Sequence, residues 1–351
     1  MGNFISVGSR KIGDGCPCFI IAEIGMNHDG NKDKAKKLIA AAARAGADAV
    51  KFQTFKAQDI INPLLPIDYD PDEPVPKGFT YFWEYIRQFE LPYSWHDELI
   101  EYSRKHKITF ISTPCSIEAL DFLFERVPVF KIASMDLTNI PFLNEVGKRK
   151  KPVILSTGIG TLAEIEAAIH ALRSSGCAEM AIMHCVSNYP AKPQELNLRN
   201  IRMLKETFSL PVGFSDHSLG VTGAVAAVAL GACIIEKHIT LGRKTPGPDH
   251  YFALEPGELK DLVTSIREAE LSLGSENRII TKSERLKRTT YRRSLLINKD
   301  LNKGHALIGG DISIIRPGSG IQPVDFPKVL GMKLKKSLKA YTPLKWEHLF
   351  V

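Results

Sequence analysis

An α/β fold, a closed (β/α)8 TIM barrel followed by a small mainly-β domain, is what this sequence predicts. Three observations lead there. Eight short apolar runs alternate with helix-like stretches over residues 1–277. The runs are continuous in Val, Ile and Leu, as strands buried on both faces must be. Each run also ends in polar residues, and barrels of this kind carry their chemistry at the C-terminal strand ends.

The elements follow in order. Residues 4–7 and 11–13 flank Gly8 and read as a hairpin closing the barrel base. The same N-terminus, Met1-Gly2-Asn3-Phe4-Ile5-Ser6, matches the loose myristoylation pattern, which the hairpin reading outweighs. The first barrel strand is CFIIAEIG from Cys18, and a helix over 34–45 follows, with Asp33 as cap and Gly46 past its end. AVKFQT from Ala49 is the second strand. After it comes the one long connection, 56–93, with Asp68-Tyr-Asp-Pro-Asp-Glu73 near its middle. Loops that long on a catalytic face are usually functional, so this one is expected to cover the pocket or select the substrate. A helix over 95–106 leads to TFISTP from Thr109 and a helix over 117–125. VFKIAS from Val129 precedes a helix over 141–147. PVILSTG from Pro152 precedes one over 162–174, opened by the capping box Thr161-Leu-Ala-Glu164 and closed near Gly176. MAIMHCV from Met180, PVGFSDH from Pro211 and CIIEKHIT from Cys233 pair with helices over 198–206, 221–230 and 256–273. The polar, basic stretch 278–293 reads as a linker, and 294–351 as a domain of short strands and turns. A piece of about 60 residues sits at the small end of what folds alone. Packing on the barrel or on a partner subunit is therefore expected.

The 351 residues, 44% hydrophobic and 24% charged, have the composition of an ordinary globular chain. The formal net charge of +7 is spread along the chain, with no aromatic interleaving in its basic runs. That argues against nucleic acid and for an anionic small substrate. No run of about 18 apolar residues suggests a membrane span, and no secretory signal is evident. The six cysteines form neither a disulfide framework nor paired metal knuckles, so a cytoplasmic location is expected.

The strand ends bring together a chemically loaded set. His217 and His238 end adjacent strands, and Glu236 and Ser215, each two residues earlier, share their inward face. They read either as a divalent-metal site with open positions or as hydrogen-bonded core histidines. Lys51 and Lys131 end strands two and four. Each must bind an anion or be paired, since an unpaired buried ammonium is costly; Glu23 and Glu236 are the available partners. Hydroxyls of Thr113, Ser134, Ser156 and Ser215 at the same level suit phosphate or carboxylate. Glu23 and Asp136 are candidates for proton transfer, or for neutralising Lys51 and capping a helix respectively. Tyr189 reads equally as packing or as substrate contact, and His28, His184 and His250 stay open.

Together these segments resemble the N-acetylneuraminate synthase family. The matching pieces are Ala22-Glu-Ile-Gly-Met-Asn-His28, Lys51-Phe-Gln-Thr54, Ser112-Thr-Pro114, Lys131-Ile-Ala-Ser134, Leu155-Ser-Thr-Gly158, His184-Cys185, Asn188-Tyr-Pro190, Ser215-Asp-His217, Glu236-Lys-His238 and Pro246-Gly-Pro-Asp249. Ile315-Arg-Pro-Gly-Ser-Gly320 resembles that family's C-terminal antifreeze-like (SAF) domain. The resemblance implies condensation of phosphoenolpyruvate with an N-acetylated hexose to a nonulosonic acid and phosphate. It implies His217 and His238 as ligands of Mn2+, with Mg2+ or Co2+ as alternatives. Lys51, Thr113, Lys131, Ser134, Ser156 and Ser215 would surround phosphoenolpyruvate, and Gln53, Tyr189 and Asp249 would lie near the sugar. Glu23 and Glu236 would form the inner shell. Arg316 would reach the sugar from the neighbouring subunit of a domain-swapped homodimer. Rival readings are a synthase acting on a hexose 6-phosphate and a Schiff-base aldolase using Lys131. Two departures stand out: Asp136 replaces the family's usual Glu, and Lys77 stands where some members have a polar amide.

Overall fold

In the computed structural model, which describes residues 4–69 and 77–350, the chain divides into two compact units, Met1–Gly274 and Ser275–Val351. In the first, β1 (Phe4–Val7) and β2 (Arg10–Gly13) form the expected antiparallel hairpin. Gly2 and loop residues 70–76 lie outside the described residues. The barrel strands follow: β3 (Phe19–Gly25), β4 (Ala49–Thr54), β5 (Thr109–Pro114), β6 (Phe130–Ile132), β7 (Val153–Ser156), β8 (Met180–Cys185), β9 (Val212–Asp216) and β10 (Ile234–His238). They form one eight-stranded parallel sheet in the order β5-β4-β3-β10-β9-β8-β7-β6. Its two edges, β5 and β6, lie next to each other without a ladder between them, so the barrel is nearly closed.

Strand alternation sorts the side chains into two cores. Phe19, Ile21, Ala49, Ile111, Ile154 and Ala181 point inward and pack with Ile5, Val7 and Ile12, so the hairpin plugs the barrel base. Ile20, Val50, Phe110, Leu155, Ile182 and Phe214 point outward under the helices. One polar pair also faces outward: Lys237 donates to Asp216 at 2.8 Å, fully buried. That lysine belongs to the wall and not to the mouth.

Helix ends obey local chemistry, with small shifts from expectation. Asn31, not Asp33, caps helix Lys32–Ala45, its side chain accepting from Lys34 N. Thr161 and Glu164 form the expected capping box of helix Leu162–Ser174. Residues 278–293, read as a linker, contain helix Lys282–Tyr291 and cluster with the C-terminal unit. Thr281 and Glu284 form a capping box there, a signal that the polar composition masked. The C-terminal unit pairs β11 (Ser294–Ile297) with β12 (Ile312–Ile315) and buries Leu295, Ile297, Leu307, Leu334 and Leu349. Among the described residues no helix is long and apolar enough to cross a membrane.

His28 and His96 are completely buried in the first unit. His96 Nδ1 lies 3.2 Å from Pro92 O and its Nε2 2.8 Å from Thr54 Oγ1. Burial pushes both imidazoles down from 6.5 to about 4. Below pH 6.5 the unfolded chain therefore takes up protons that the folded one refuses. Stability is expected to fall as pH drops from about 6.5 to about 4, by up to about 1.4 kcal/mol per pH unit for each histidine. Urea titrations across that range check it, and His96→Gln should flatten the slope. An unchanged slope would show that His96 is charged in the native state.

Candidate functional site

The upper end of the barrel collects the inward positions, and sheet register decides which of them meet. Glu23 stands opposite Lys51 on β4 and His238 on β10, Glu236 opposite Ser215, and Gln53 opposite Thr113. All of these except Gln53 are buried, as are Lys131, Ser156 and His217. The set named from strand ends is therefore brought to one mouth.

Charge is balanced there pair by pair. Lys51 Nζ lies 2.9 Å from Glu23 Oε2, 3.8 Å from Glu236 Oε1 and 3.4 Å from Thr113 Oγ1. Lys131 Nζ donates to Ser156 Oγ at 2.6 Å and lies 3.5 Å from Glu236 Oε2. Glu236 is thus held between two ammonium groups and also accepts from Ser215 at 3.0 Å. Burial opposes its ionisation, but Lys131 and then Lys51 keep its carboxyl below the usual range. Burial pushes Glu23 up, opposed by Lys51 and reinforced by Glu236. Burial likewise pushes the Lys131 ammonium down, against the pull of Glu236. Two carboxylates facing two ammoniums leave a site that is neutral when empty. It becomes strongly cation-presenting wherever a carboxylate takes a proton.

The imidazoles sit beside this cluster. The His217 and His238 rings lie 5.6 Å apart, centroid to centroid, and Phe252 sets its edge against both. His217 Nδ1 donates to Val186 O at 2.8 Å, which leaves Nε2 with its lone pair, 3.4 Å from Ser215 Oγ. Among the described residues His238 Nδ1 has no hydrogen-bond partner; it is buried, 3.5 Å from Asp249 Oδ2. Burial, with His217 and Lys51 nearby, drives His238 well down, so its ring is neutral. Burial opposes a charge on His217 as well, but Cys185 and the Val186 carbonyl beside it hold that ring up from its usual value. A divalent ion requires deprotonated imidazoles, so binding one would displace that proton, and the donor atoms of the pair then fit such an ion. Among the described residues no group of three or more His, Cys, Asp or Glu side chains has the geometry to hold one. The protein would therefore offer two ligands and leave the other positions open.

A gap for an acceptor opens at Gly25, whose φ is +49° at a bulge ending β3. A Cβ there would fall 3.0 Å from Asp249 Oδ2, 3.0 Å from Glu23 Oε1 and 3.5 Å from Gln53 Nε2. Only glycine leaves these polar groups facing a cradle. Gln53 Nε2 donates to Glu23 Oε1 at 3.0 Å. Tyr189 is 40% exposed and packs 4.4 Å from the His217 ring, so it lies at the rim as well as packing.

Ser134 and Asp136 come from a short turn after β6. Ser134 Oγ accepts from Gly158 N at 3.0 Å. Asp136 is buried, accepts from Asn139 through Oδ1, and has an Oδ2 without a hydrogen-bond partner among the described residues. Burial raises its carboxyl. The helix cap it was weighed for is supplied by Asn139, whose side chain accepts from Phe142 N. Asp136 therefore keeps one carboxylate oxygen unpaired among the described residues. Arg316 belongs to the C-terminal unit, over the Tyr291 ring. Lys77 is exposed.

The histidines left open each make a structural hydrogen bond. His184 Nε2 donates to Leu196 O, His250 bridges Asp29 and Thr240, and His28 Nδ1 accepts from Gly30 N. Sequence reasoning missed Phe252 and Gly25. Phe252 lies in a loop with no periodicity to mark it, whereas Gly25 ends a continuous apolar run and was open to inspection.

Comparison with known proteins agrees with this geometry. Residues 38–278 match the NeuB family and residues 292–349 match the SAF domain. The N,N'-diacetyllegionaminic acid synthase of Legionella pneumophila is 40% identical, covering 97% of this chain and 97% of that protein. The pseudaminic acid synthase of Campylobacter jejuni is 35% identical over 93% of this chain and 95% of that protein. A crystal structure of an N-acetylneuraminic acid (sialic acid) synthetase from Leptospira borgpetersenii in complex with citrate is 34% identical. It superposes with a TM-score of 0.73, covering 82% of this chain and 95% of that one.

Proposed function

The chain belongs to the NeuB family, and from that premise we propose that it condenses phosphoenolpyruvate with an N-acylated amino hexose and water. The products are a nine-carbon 2-keto sugar acid and inorganic phosphate. What supports this most is the single mouth in which two buried ammoniums, two carboxylates and two imidazoles meet. Lys51 and Lys131, with Thr113, Ser134, Ser156 and Ser215, would bind the carboxylate and phosphate of phosphoenolpyruvate. These preorganised charges would stabilise the transition state without reorganising. Gln53, Tyr189 and Asp249 would hold the open-chain sugar with its aldehyde against C3 of the enol.

The new bond joins C3 to the aldehyde carbon, whose oxygen takes a proton. Water then adds to the cation at C2, and phosphate leaves with its bridging oxygen by C–O cleavage. Asp136, with its free buried oxygen, would remove the proton from that water, and Glu23 would carry a proton at the sugar end. His217 and His238 would hold the divalent ion, Mn2+ with Mg2+ or Co2+ as alternatives, which when bound supplies Lewis-acid polarisation of the aldehyde. The proposal includes a domain-swapped homodimer in which Arg316 would reach the partner's sugar. The six thiols are all free, which accords with a cytoplasmic location.

The test is phosphate release from phosphoenolpyruvate with a panel of sugars. The panel is N-acetylmannosamine, the diacetamido-trideoxyhexoses leading to legionaminate and to pseudaminate, and N-acetylmannosamine 6-phosphate. Release is expected with a neutral amino sugar, best with the legionaminate precursor, and should stop on chelation. Preference for the 6-phosphate would favour a 9-phosphate product, and no release with any sugar would reject the reading.

A further inference from the structure

A cavity opens at the C-terminal end of the barrel wall, between the ends of β7 and β8 and helix Asn200–Phe208. It encloses about 400 Å³, and its walls include His184, Asn200, Glu195, Ile165, Met203 and Leu204. None of the residues assigned above to phosphoenolpyruvate, sugar or metal lines it.

His184 gives the cavity its chemistry. It points outward from β8 and is 6% exposed. Its Nε2 is committed to Leu196 O at 2.7 Å, so Nε2 carries the hydrogen and Nδ1 is left as an acceptor. Among the described residues Nδ1 has no hydrogen-bond partner, and burial lowers the ring's proton affinity, so it stays neutral. The ring is held by stacking on Phe214 with centroids 5.7 Å apart. An acceptor that no protein group occupies is open to a ligand N–H at the cavity wall.

Across the cavity, helix Asn200–Phe208 begins on Arg199 without a side-chain cap. The Asn200 side chain, half-buried at the first helical position, makes no hydrogen bond among the described residues. Its amide and the positive end of the helix suit a carbonyl oxygen. Ile165, Met203 and Leu204 supply an apolar floor. Glu195 is the one charged side chain lining the cavity, and no Lys or Arg does so, so an anion is disfavoured. One acceptor, one donor and an apolar floor are together the complement of a secondary N-acyl amide.

We propose that this cavity is a binding site for a neutral N-acylated monosaccharide. The amide N–H would donate to His184 Nδ1, the amide oxygen would accept from Asn200, and the acyl methyl would rest on Met203 and Leu204. The site is distinct from the barrel mouth and does not depend on the proposed reaction. It adjoins that machinery, because Val186, whose carbonyl holds His217 Nδ1, and Cys185, whose Sγ lies 4.0 Å from the same nitrogen, both line the cavity.

The test uses the whole chain labelled with 13C-methyl methionine and titrated with N-acetylglucosamine. Met203 reports on the cavity, and Met135, beside Ser134 and Asp136, reports on the mouth. The Met203 methyl signal is expected to shift saturably, and glucose, which lacks the amide, should leave it in place. His184→Phe keeps the stacked ring but removes the acceptor. It should weaken binding by about fivefold or more, the effect of one neutral hydrogen bond. An unmoved Met203 overturns the proposal, whether or not Met135 shifts, and so does an equal response to glucose. The wild-type titration decides the matter even if the variant fails to fold, and undiminished binding by a folded variant would also overturn it.

Discussion

Replacing His238 by Ala is expected to lower kcat for phosphate release by at least about a thousandfold, the loss of some 4 kcal/mol of transition-state stabilisation. The ring is buried and its Nδ1 makes no hydrogen bond among the described residues, so removing it breaks none there. What the fold loses is packing against Phe252, at 4.8 Å between centroids. A cavity of that size costs roughly 2–3 kcal/mol, which a barrel of this length tolerates. Activity should vanish while the cooperative unfolding transition survives. If the proposed ion is held there, the variant should also fail to retain added manganese, read by paramagnetic resonance of the free ion, and become indifferent to chelators. Full activity in a folded His238→Ala protein would reject the metal assignment outright.

Lys131→Met is the second large effect, expected to reduce kcat/KM for phosphoenolpyruvate by roughly a hundredfold to a thousandfold. Met matches the length of the lysine stem without its charge. The variant removes the donor to Ser156 and one of the two cations flanking Glu236. Breaking a buried pair usually costs about 3–5 kcal/mol because one charge is stranded. Here Glu236 keeps Lys51 at 3.8 Å and Ser215 at 3.0 Å, so the stability loss should fall below that range. The same lysine separates the synthase from an imine-forming aldolase. Borohydride added with phosphoenolpyruvate and sugar should leave no mass adduct on Lys131; a trapped adduct would replace the proposed chemistry with Schiff-base catalysis.

Much of this was legible from local pattern. Continuous apolar runs placed the barrel strands within a residue or two, because a strand covered on both faces has no solvent side to break the run. The helix over 162–174 was located to the residue, since Thr161 and Glu164 announce its start. Where local signals competed, boundaries moved: Asn31 outbid Asp33 as a cap, and the 278–293 stretch hid a helix under a polar composition. Lys237 shows the use of period two, since it sits between Glu236 and His238 yet faces the helices and pairs with Asp216.

Alternation along each strand thus determined which side chains enter the mouth, and that information is contained in a few consecutive residues. It could not determine their partners. Whether Lys51 answers to Glu23 or to Glu236 depends on register between strands far apart in the chain. The closure of the barrel and its shear set that register. Only the tertiary structure could therefore decide that His238 Nδ1 is left bare, that Gly25 leaves a cradle, and that His184 faces a cavity of its own.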